Sequence, residues 1–584
     1  MMRILARRFS LAKLVLGLGL AMLCSLDSDG KASVDRLDSL RLVELADSIQ
    51  QFEMLCYDSS QISVGRYHRG LSYYDQMIRR MLSLDQPPPD SNCIATAFSY
   101  LERKKNLQLL TLLTSGYWPV NPPQLDSNEV ITMGLDRLQV GTKAGNALLN
   151  SMRQPININA IQKNCLDNKQ AIIHFWLDQD RVVAFLVSRD SLLVVQWPCS
   201  RRLIEKKIQL LMKPFYANTD LLKLNFSQKT AYDLYQLLFQ PLKGHLHQVK
   251  SICLIPDDML LGFPFELLIC SAAGFSSMPE RALYQHLGSL DYLVRHYAIS
   301  YNYSTAFMAL INDSYHSVKA LRHRLLTMSE PASLPNGLHL PFAPEIASFG
   351  HNEYEAEEIK RVSRLLFRHD NLRQKQANKI YFLTVGQNYR WIHLTLPTLL
   401  DNTNAFNSGI IFSPELGDSI GSSAWLAADE ILHAHLSADL LALSQSQLLS
   451  FNSCGNPGII AVPQSFLLAG VRSVLFRIWP VNSLATSQYL AKFYWELKYK
   501  RQTTSEALQQ AKVASFKESF TFDGREISRA HPFFWAGFLL IGNPQISPPS
   551  PTKLPPMAVI ALTYAVVILM SFLITRKTMP KRRK

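Results

Sequence analysis

The chain has 584 residues, 47% hydrophobic and 18% charged, and a formal net charge of +14. Such length and apolar content exclude a disordered chain and leave room for roughly two to four domain-sized pieces. Eleven of the basic residues lie in two terminal segments free of acids, namely Arg3, Arg7, Arg8 and Lys13, and Lys553, Arg576, Lys577, Lys581, Arg582, Arg583 and Lys584; about +3 remains for everything between, so no nucleic-acid partner is expected.

The amino end, "MMRILARRFSLAKLVLGLGLAMLCSLDSDG", joins a basic start to an apolar stretch from Leu14 to Leu26 and a polar exit. It is short for a membrane span and fits an export signal over residues 1–26. An uncleaved anchor, a lipoprotein site at Cys24 and a twin-arginine signal at Arg7 and Arg8 are alternatives. A plain signal fits best, because Ala21, Met22 and Leu23 make a poor lipobox and "RRFSLAK" is a loose twin-arginine match.

Residues 27–150 carry helical apolar spacing, as in "IATAFSYLERKKNLQLLTLL", without a clean repeat of about 34 residues. The pattern changes at "QAIIHFWLDQDRVVAFLVSRDSLLVVQWP", where short β-branched and aromatic runs alternate with turns. Further on, "SICLIPDD", "YRWIHLTLP", "SADLLALS" and "VRSVLFRIWP" read as buried strands. Helical spacers such as "EYEAEEIKRVSRLL" and "LATSQYLAKFYWELKYKRQTTSEALQQAKVASF" separate them. This alternation predicts an α/β fold over residues 151–545, a mainly parallel sheet flanked by helices and preceded by the helical segment.

A proline-rich linker, 546–556, leads to "MAVIALTYAVVILMSFLI", eighteen residues without a charge, and six of the last nine residues are basic. The expectation is one transmembrane helix over 557–575 and a cytoplasmic tail over 576–584, with the bulk of the chain on the extracytoplasmic side. The eight cysteines (Cys24, Cys56, Cys93, Cys165, Cys199, Cys253, Cys270, Cys454) stand singly, with no C-x-x-C pair. The H-x-H pairs His245/His247 and His433/His435 lack a cysteine or carboxylate cluster at ligand spacing, so neither a metal nor a cofactor is expected.

In parallel sheets chemistry sits beyond the carboxyl ends of the strands, which directs attention to the tips of "WIHLTLP" and "LLALSQS". Neither tip offers a base and a nucleophile in the usual form. Several blocks in order nevertheless resemble one family. They are "ATAFSYLERKKNLQLL", "SICLIPDDMLLGFPFELLI", "LDYLVRHYAISYNYST", "NEYEAEEIKRV", "FLLAGVRSVLFRIWPVNSLAT" and "HPFFWAGFLLIGNP". Together they are similar to the CHAT-domain proteins, bacterial relatives of caspases and separases whose caspase-like domain often follows tetratricopeptide helices. The resemblance runs from roughly 92 to 545.

The resemblance implies that the first catalytic strand should end H-x-x-T-H-G, with the second histidine as base. "HLTLPT" from His393 matches without a gap and puts Pro397 at that histidine and Thr398 at the glycine. The second strand should end in a nucleophilic cysteine, and a gapless fit of "LLALSQS" puts Ser446 there. A competing fit of "LLSFNSCGNPG" puts Cys454 there at the expense of two compensating length changes. His393, four residues before Pro397, lies about 13 Å from it along an extended strand and reads as a buried strand histidine.

Proline has no proton to exchange, threonine brings a Cβ where glycine allowed close approach, and a serine without a base is a poor nucleophile. The expectation is a catalytically dead, caspase-like pseudopeptidase, membrane-anchored and acting through protein partners in binding or signalling. Alternatives are an active cysteine endopeptidase using Cys454 and a structural assembly scaffold.

Overall fold

The computed structural model describes residues 32–58, 61–82, 89–115, 156–217, 220–273, 282–313, 325–329, 355–365, 369–401, 404–415, 422–448, 458–481 and 483–547, with short pieces at 117, 130–132, 564 and 568–571. The export segment 1–26, Cys454, most of the proline-rich linker and the tail 576–584 lie outside them. Residues through Ile546 form one compact unit, and Ser547–Lys584 a second.

The chain begins with Ala32–Asp58 (α1), Gln61–Ser63 (β1), Val64–Met81 (α2) and Ser91–Ser115 (α3). Asp90 starts α3 by accepting the Cys93 N–H at 2.7 Å, a bond that holds its carboxyl below the usual range. Val130–Thr132 (β2) pairs antiparallel with β1.

These helices join the rest through polar contacts. Arg79 forks onto Asp178 at 2.5 and 2.7 Å, and Asp75 accepts from both Lys104 (2.7 Å) and the Trp176 indole (2.9 Å). From the middle of α3, the buried Glu102 carboxylate accepts the N–H groups of Thr305 and Ala306 at 2.9 and 3.2 Å. A carboxylate there satisfies orphan donors of the helix Thr305–Asp313 and complements its dipole. Glu102 also stands 2.9 Å from Nδ1 of the fully buried His174. Burial outweighs the pull of this carboxylate and pushes the imidazole below its ordinary value.

Next come Ile158–Cys165 (α4), Gln170–Leu177 (β3), Arg181–Val187 (β4), Leu192–Pro198 (β5), Arg201–Ala217 (α5), Gln228–Leu238 (α6), Ser251–Ile255 (β6) and Ala298–Tyr301 (β7). They are followed by Thr305–Asp313 (α7), Leu325–Ser329 (β8), Glu355–Leu365 (α8), His369–Arg373 (β9), Lys379–Val385 (α9) and Trp391–Thr395 (β10). Thr398–Leu400 (β11), Gly409–Ile411 (β12), Trp425–Ala427 (β13), Ala428–Ile431 (α10), Leu440–Leu443 (β14), Ser446–Leu448 (β15) and Gly458–Ala469 (α11) continue the chain. It closes with Ser473–Arg477 (β16), Ser483–Trp495 (α12), Thr504–Ser515 (α13), Ser519–Phe522 (β17), Arg525–Ser528 (β18), Pro532–Trp535 (α14) and Phe538–Gly542 (β19).

Eleven strands make one sheet in the order β5-β4-β3-β6-β7-β19-β16-β14-β10-β8-β9. Seven of its ten neighbouring pairs are parallel; β5·β4, β4·β3 and β16·β19 are antiparallel. The fold is thus a mixed α/β structure with a large, mostly parallel sheet flanked by helices and an amino-terminal helical segment. The central strands are buried along their whole length, as both-face coverage requires.

At the seam between β7 and β19, Glu266 of the P-F-E block pairs with Lys512 on α13 at 2.7 Å, both fully buried. The Tyr301 hydroxyl donates to the other carboxylate oxygen, and Lys512 also donates to Phe538 O at 2.8 Å. Burial draws the Lys512 pKa down against the pull of Glu266. Gly470, between α11 and β16, has φ +118°, and a Cβ there would come 2.0 Å from Leu436 O. Only glycine fits such a crossing.

The membrane placement expected from the carboxyl-terminal run is corrected. Among the described residues no helix is long and apolar enough to cross a membrane. Within 557–575 the described residues are 564 and 568–571, helical and exposed.

Candidate functional site

β10 and β14 lie side by side in parallel, Trp391 against Leu440 through Leu394 against Leu443. Beyond their ends both chains leave the main sheet and enter a second, four-stranded sheet, β13-β12-β11-β15. Pro397 makes the break: without an N–H it cannot extend the ladder, and its carbonyl instead accepts from the Ile411 N–H at 2.9 Å. On the other chain Ser444 and Gln445 make the turn, and the Gln445 carbonyl faces the Thr398 N–H at 3.4 Å.

The two tips then pair again in parallel, Thr398 opposite Ser446, Leu399 opposite Gln447 and Leu400 opposite Leu448. Thr398 and Ser446 are fully buried. Thr398 and Ser446 therefore face each other at neighbouring strand tips, inside a β-ladder. Gly458, starting α11, comes so close to Asp401 that a Cβ would stand 2.5 Å from its carbonyl oxygen, which seats this helix against the same ladder.

Ser446 is held by the main chain of β16. Its Oγ donates to Arg477 O at 2.7 Å and accepts the Arg477 N–H at 2.6 Å, with Leu443 O also 3.2 Å away. A hydroxyl with one proton and two engaged neighbours works as a peg between strand ends, and among the described residues its bonds are to main-chain groups. Ser446→Ala is expected to cost about 1–3 kcal/mol in urea unfolding, since it leaves the Arg477 N–H buried without an acceptor. A loss below about 0.5 kcal/mol would show that the peg does not hold this strand end.

His393 lies on β10 below the tips and is fully buried. Its Nε2 donates to Glu358 on α8 at 2.7 Å, and its Nδ1 accepts from the Tyr494 hydroxyl on α12 at 3.1 Å. Thr395 Oγ1 is 3.4 Å from the same Glu358 oxygen. Both ring nitrogens are thereby engaged by helices that cover the sheet face. Burial raises the Tyr494 phenol, with the Glu358 charge adding to it, so that the hydroxyl is retained as a donor.

Arg477, at the end of β16, is buried as well. It donates to Thr486 Oγ1 at 3.1 Å, and burial lowers its pKa to about 10 while Glu358 pulls the other way. Sequence reasoning missed Glu358, Arg477 and Tyr494. Their only signal is position: Glu358 falls in the "EYEAEEI" block and Arg477 in the "VRSVLFRIW" block.

His393, Pro397, Thr398 and Ser446 are all described, and only the last two are brought together in register. Cys454, the competing nucleophile, falls outside the described residues. Of the H-x-H pairs, His433 uses Nδ1 on the Asp429 carbonyl at 2.9 Å, and neither pair contributes to a metal-sized cluster among the described residues.

The comparisons with known proteins agree with the block pattern. Residues 228–543, more than half of the chain, match the family model "CHAT domain". Tetratricopeptide repeat protein 28 of Mus musculus and its Homo sapiens counterpart are each 31% identical over 118 residues, 20% of this chain and 4% of theirs. The chain therefore spans a small fraction of the curated relatives it matches, and since these are animal proteins the match does not point to a bacterial source. Two crystal structures of the Saccharomyces cerevisiae separase-securin complex align over 91% of this chain and 42% of that chain, at 10% identity and TM-scores of 0.40 and 0.43. With the family's blocks laid in order along one mostly parallel sheet, the chain belongs to the CHAT-domain family.

Proposed function

We propose that this CHAT-domain protein is a pseudopeptidase, a caspase-like fold kept for binding other proteins rather than for cutting them. The observation that carries this reading is the pairing of Thr398 with Ser446 in a buried ladder, next to a proline at the base position. Peptide cleavage by this class needs an imidazole to take and return a proton, and open N–H donors for the oxyanion. Pro397 supplies neither, and the Ser446 hydroxyl is committed to Arg477. His393 is turned to Glu358 and Tyr494 under the sheet tips, which removes it as a substitute base.

A cleft of about 490 Å³ between α2 and α3 on one side and the β3–β4 end of the sheet on the other supports a binding role. It is lined by His68, Lys104, Trp176, Asp178 and Arg201 among others, a mixed-charge surface suited to polar peptide segments.

The test is proteolysis by the purified full-length chain on pooled peptide substrates, together with labelling by thiol-directed peptide inhibitors. Neither cleavage nor site-specific labelling is expected, and Cys454→Ala should leave partner binding intact. Cleavage abolished by Cys454→Ala would overturn the reading and make Cys454 the nucleophile of an active endopeptidase.

A further inference from the structure

The segment after the P-F-E block carries a cluster that the strand tips do not use. Residues 268–270 run antiparallel to 290–293: the Cys270 N–H donates to Asp291 O at 2.7 Å, the Leu293 N–H donates to Leu268 O at 2.8 Å, and Ile269 bridges Tyr292. A turn of 3-10 helix, Leu293–Arg295, follows, and the His296 N–H closes it onto Leu293 O at 3.0 Å. Main-chain bonds thus fix Cys270 beside Asp291 and bring His296 back over both. The sulfur of Cys270, a carboxylate oxygen of Asp291 and a ring nitrogen of His296 all lie within 4.8 Å of one another.

We propose that Cys270, Asp291 and His296 form a binding site for a divalent cation of the zinc class, with one coordination position open to solvent. Thiolate, imidazole and carboxylate are the three donor types that zinc accepts, and three protein ligands with an open fourth position is a recurrent arrangement for it. A point equidistant from three atoms 4.8 Å apart is roughly 2.8 Å from each, against about 2.0–2.3 Å for zinc–ligand bonds, so closure needs side-chain shifts of under about 1 Å. In the present arrangement His296 Nε2 and Asp291 Oδ1 are 2.7 Å apart and hydrogen-bonded to each other.

The side chains are ordered by access. Cys270 and Asp291 are half-buried and His296 is exposed, so a cation enters from the solvent side and meets the sulfur last. The Tyr235 hydroxyl is hydrogen-bonded to Cys270 and orients the sulfur, as outer partners of metal ligands do. Burial, and then the Asp291 charge, push the Cys270 thiol up to about 12, with Lys243 acting in the opposite direction. Binding breaks the S–H bond, forms the S–metal bond and releases one proton to solvent. No oxidant or reductant is involved.

Co²⁺, a spectroscopic stand-in for Zn²⁺, tests this on the purified full-length chain. The expected result is a sulfur-to-cobalt charge-transfer band in the near ultraviolet with intense visible absorption of a four-coordinate ion, saturating at one equivalent and displaced by Zn²⁺. Cys270→Ser should abolish the charge-transfer band, and His296→Ala, an exposed position that can change without loss of fold, should weaken binding at least about tenfold. Unchanged far-ultraviolet circular dichroism in His296→Ala ties its loss of affinity to the site. Absence of the charge-transfer band, or a band that survives Cys270→Ser, would overturn the proposal. The outcome is independent of whether the strand tips cut peptides.

Discussion

Leu443→Asp is expected to destabilise the compact unit by at least about 4 kcal/mol, enough to abolish folding of a marginally stable chain. Leu443 ends β14 in the middle of the eleven-stranded sheet, between Leu394 on β10 and Phe476 on β16, and is fully buried. The substitution removes apolar packing against both neighbours and sets a carboxylate in a fully buried, apolar strand position. The group then either stays charged at a desolvation cost or takes up a proton at a comparable one. Lys500→Asp, at an exposed helix end, should cost within about 1 kcal/mol, its cation–π contact over Trp495 included. The measurement is urea unfolding of the two variants beside the parent chain. Equal tolerance of both changes would contradict the placement of Leu443 in the sheet core.

Acidification is expected to destabilise the protein through His531, by up to roughly 5 kcal/mol between about pH 6.5 and pH 3. His531 precedes Pro532 and starts α14, its Nδ1 accepting the Phe533 N–H at 3.1 Å. The ring is buried edge-on among Phe215, Phe226, Tyr284 and Phe534, and its Nε2 has no polar partner among the described residues. Burial, with a smaller contribution from His286, pushes its pKa from 6.5 down to about 3. Between those values the unfolded chain binds a proton that the native chain refuses, so stability falls as pH falls.

His174, also buried and lowered in pKa, and His68, lowered by partial burial, act in the same direction. His531→Asn keeps a capping acceptor for the Phe533 N–H and removes the titrating group. Thermal unfolding from about pH 7 to about pH 5 should then show a loss of stability smaller by about 2 kcal/mol in the variant than in the parent. Identical pH dependence in the two proteins would remove His531 from the account.

The alternation of short apolar runs with helical spacers was enough to read a mainly parallel α/β sheet, because strands covered on both faces must be apolar along their whole length. "SICLIPDD", "WIHLTLP", "SADLLALS" and "VRSVLFRIWP" became β6, β10, β14 and β16 for that reason. The gapless spacing around Pro397 and Ser446 was likewise local information, carried by residue identity along one strand at a time. A membrane crossing was also read from local hydropathy, and there the described residues give no helix adequate to it.

What the sequence could not contain is everything that depends on which strands become neighbours. The re-pairing of the tips as β11 and β15, which seals Thr398 against Ser446, follows from chain crossovers rather than from any residue pattern. The same holds for the Ser446 peg on Arg477 31 residues later, the engagement of His393 by Glu358 and Tyr494 from two helices, and the approach of Cys270 to His296. Local propensity and hydrophobic period act within one element and are legible from one stretch of chain; hydrogen-bond partners of buried polar groups are assigned only when the core closes, so the tertiary structure alone decided them.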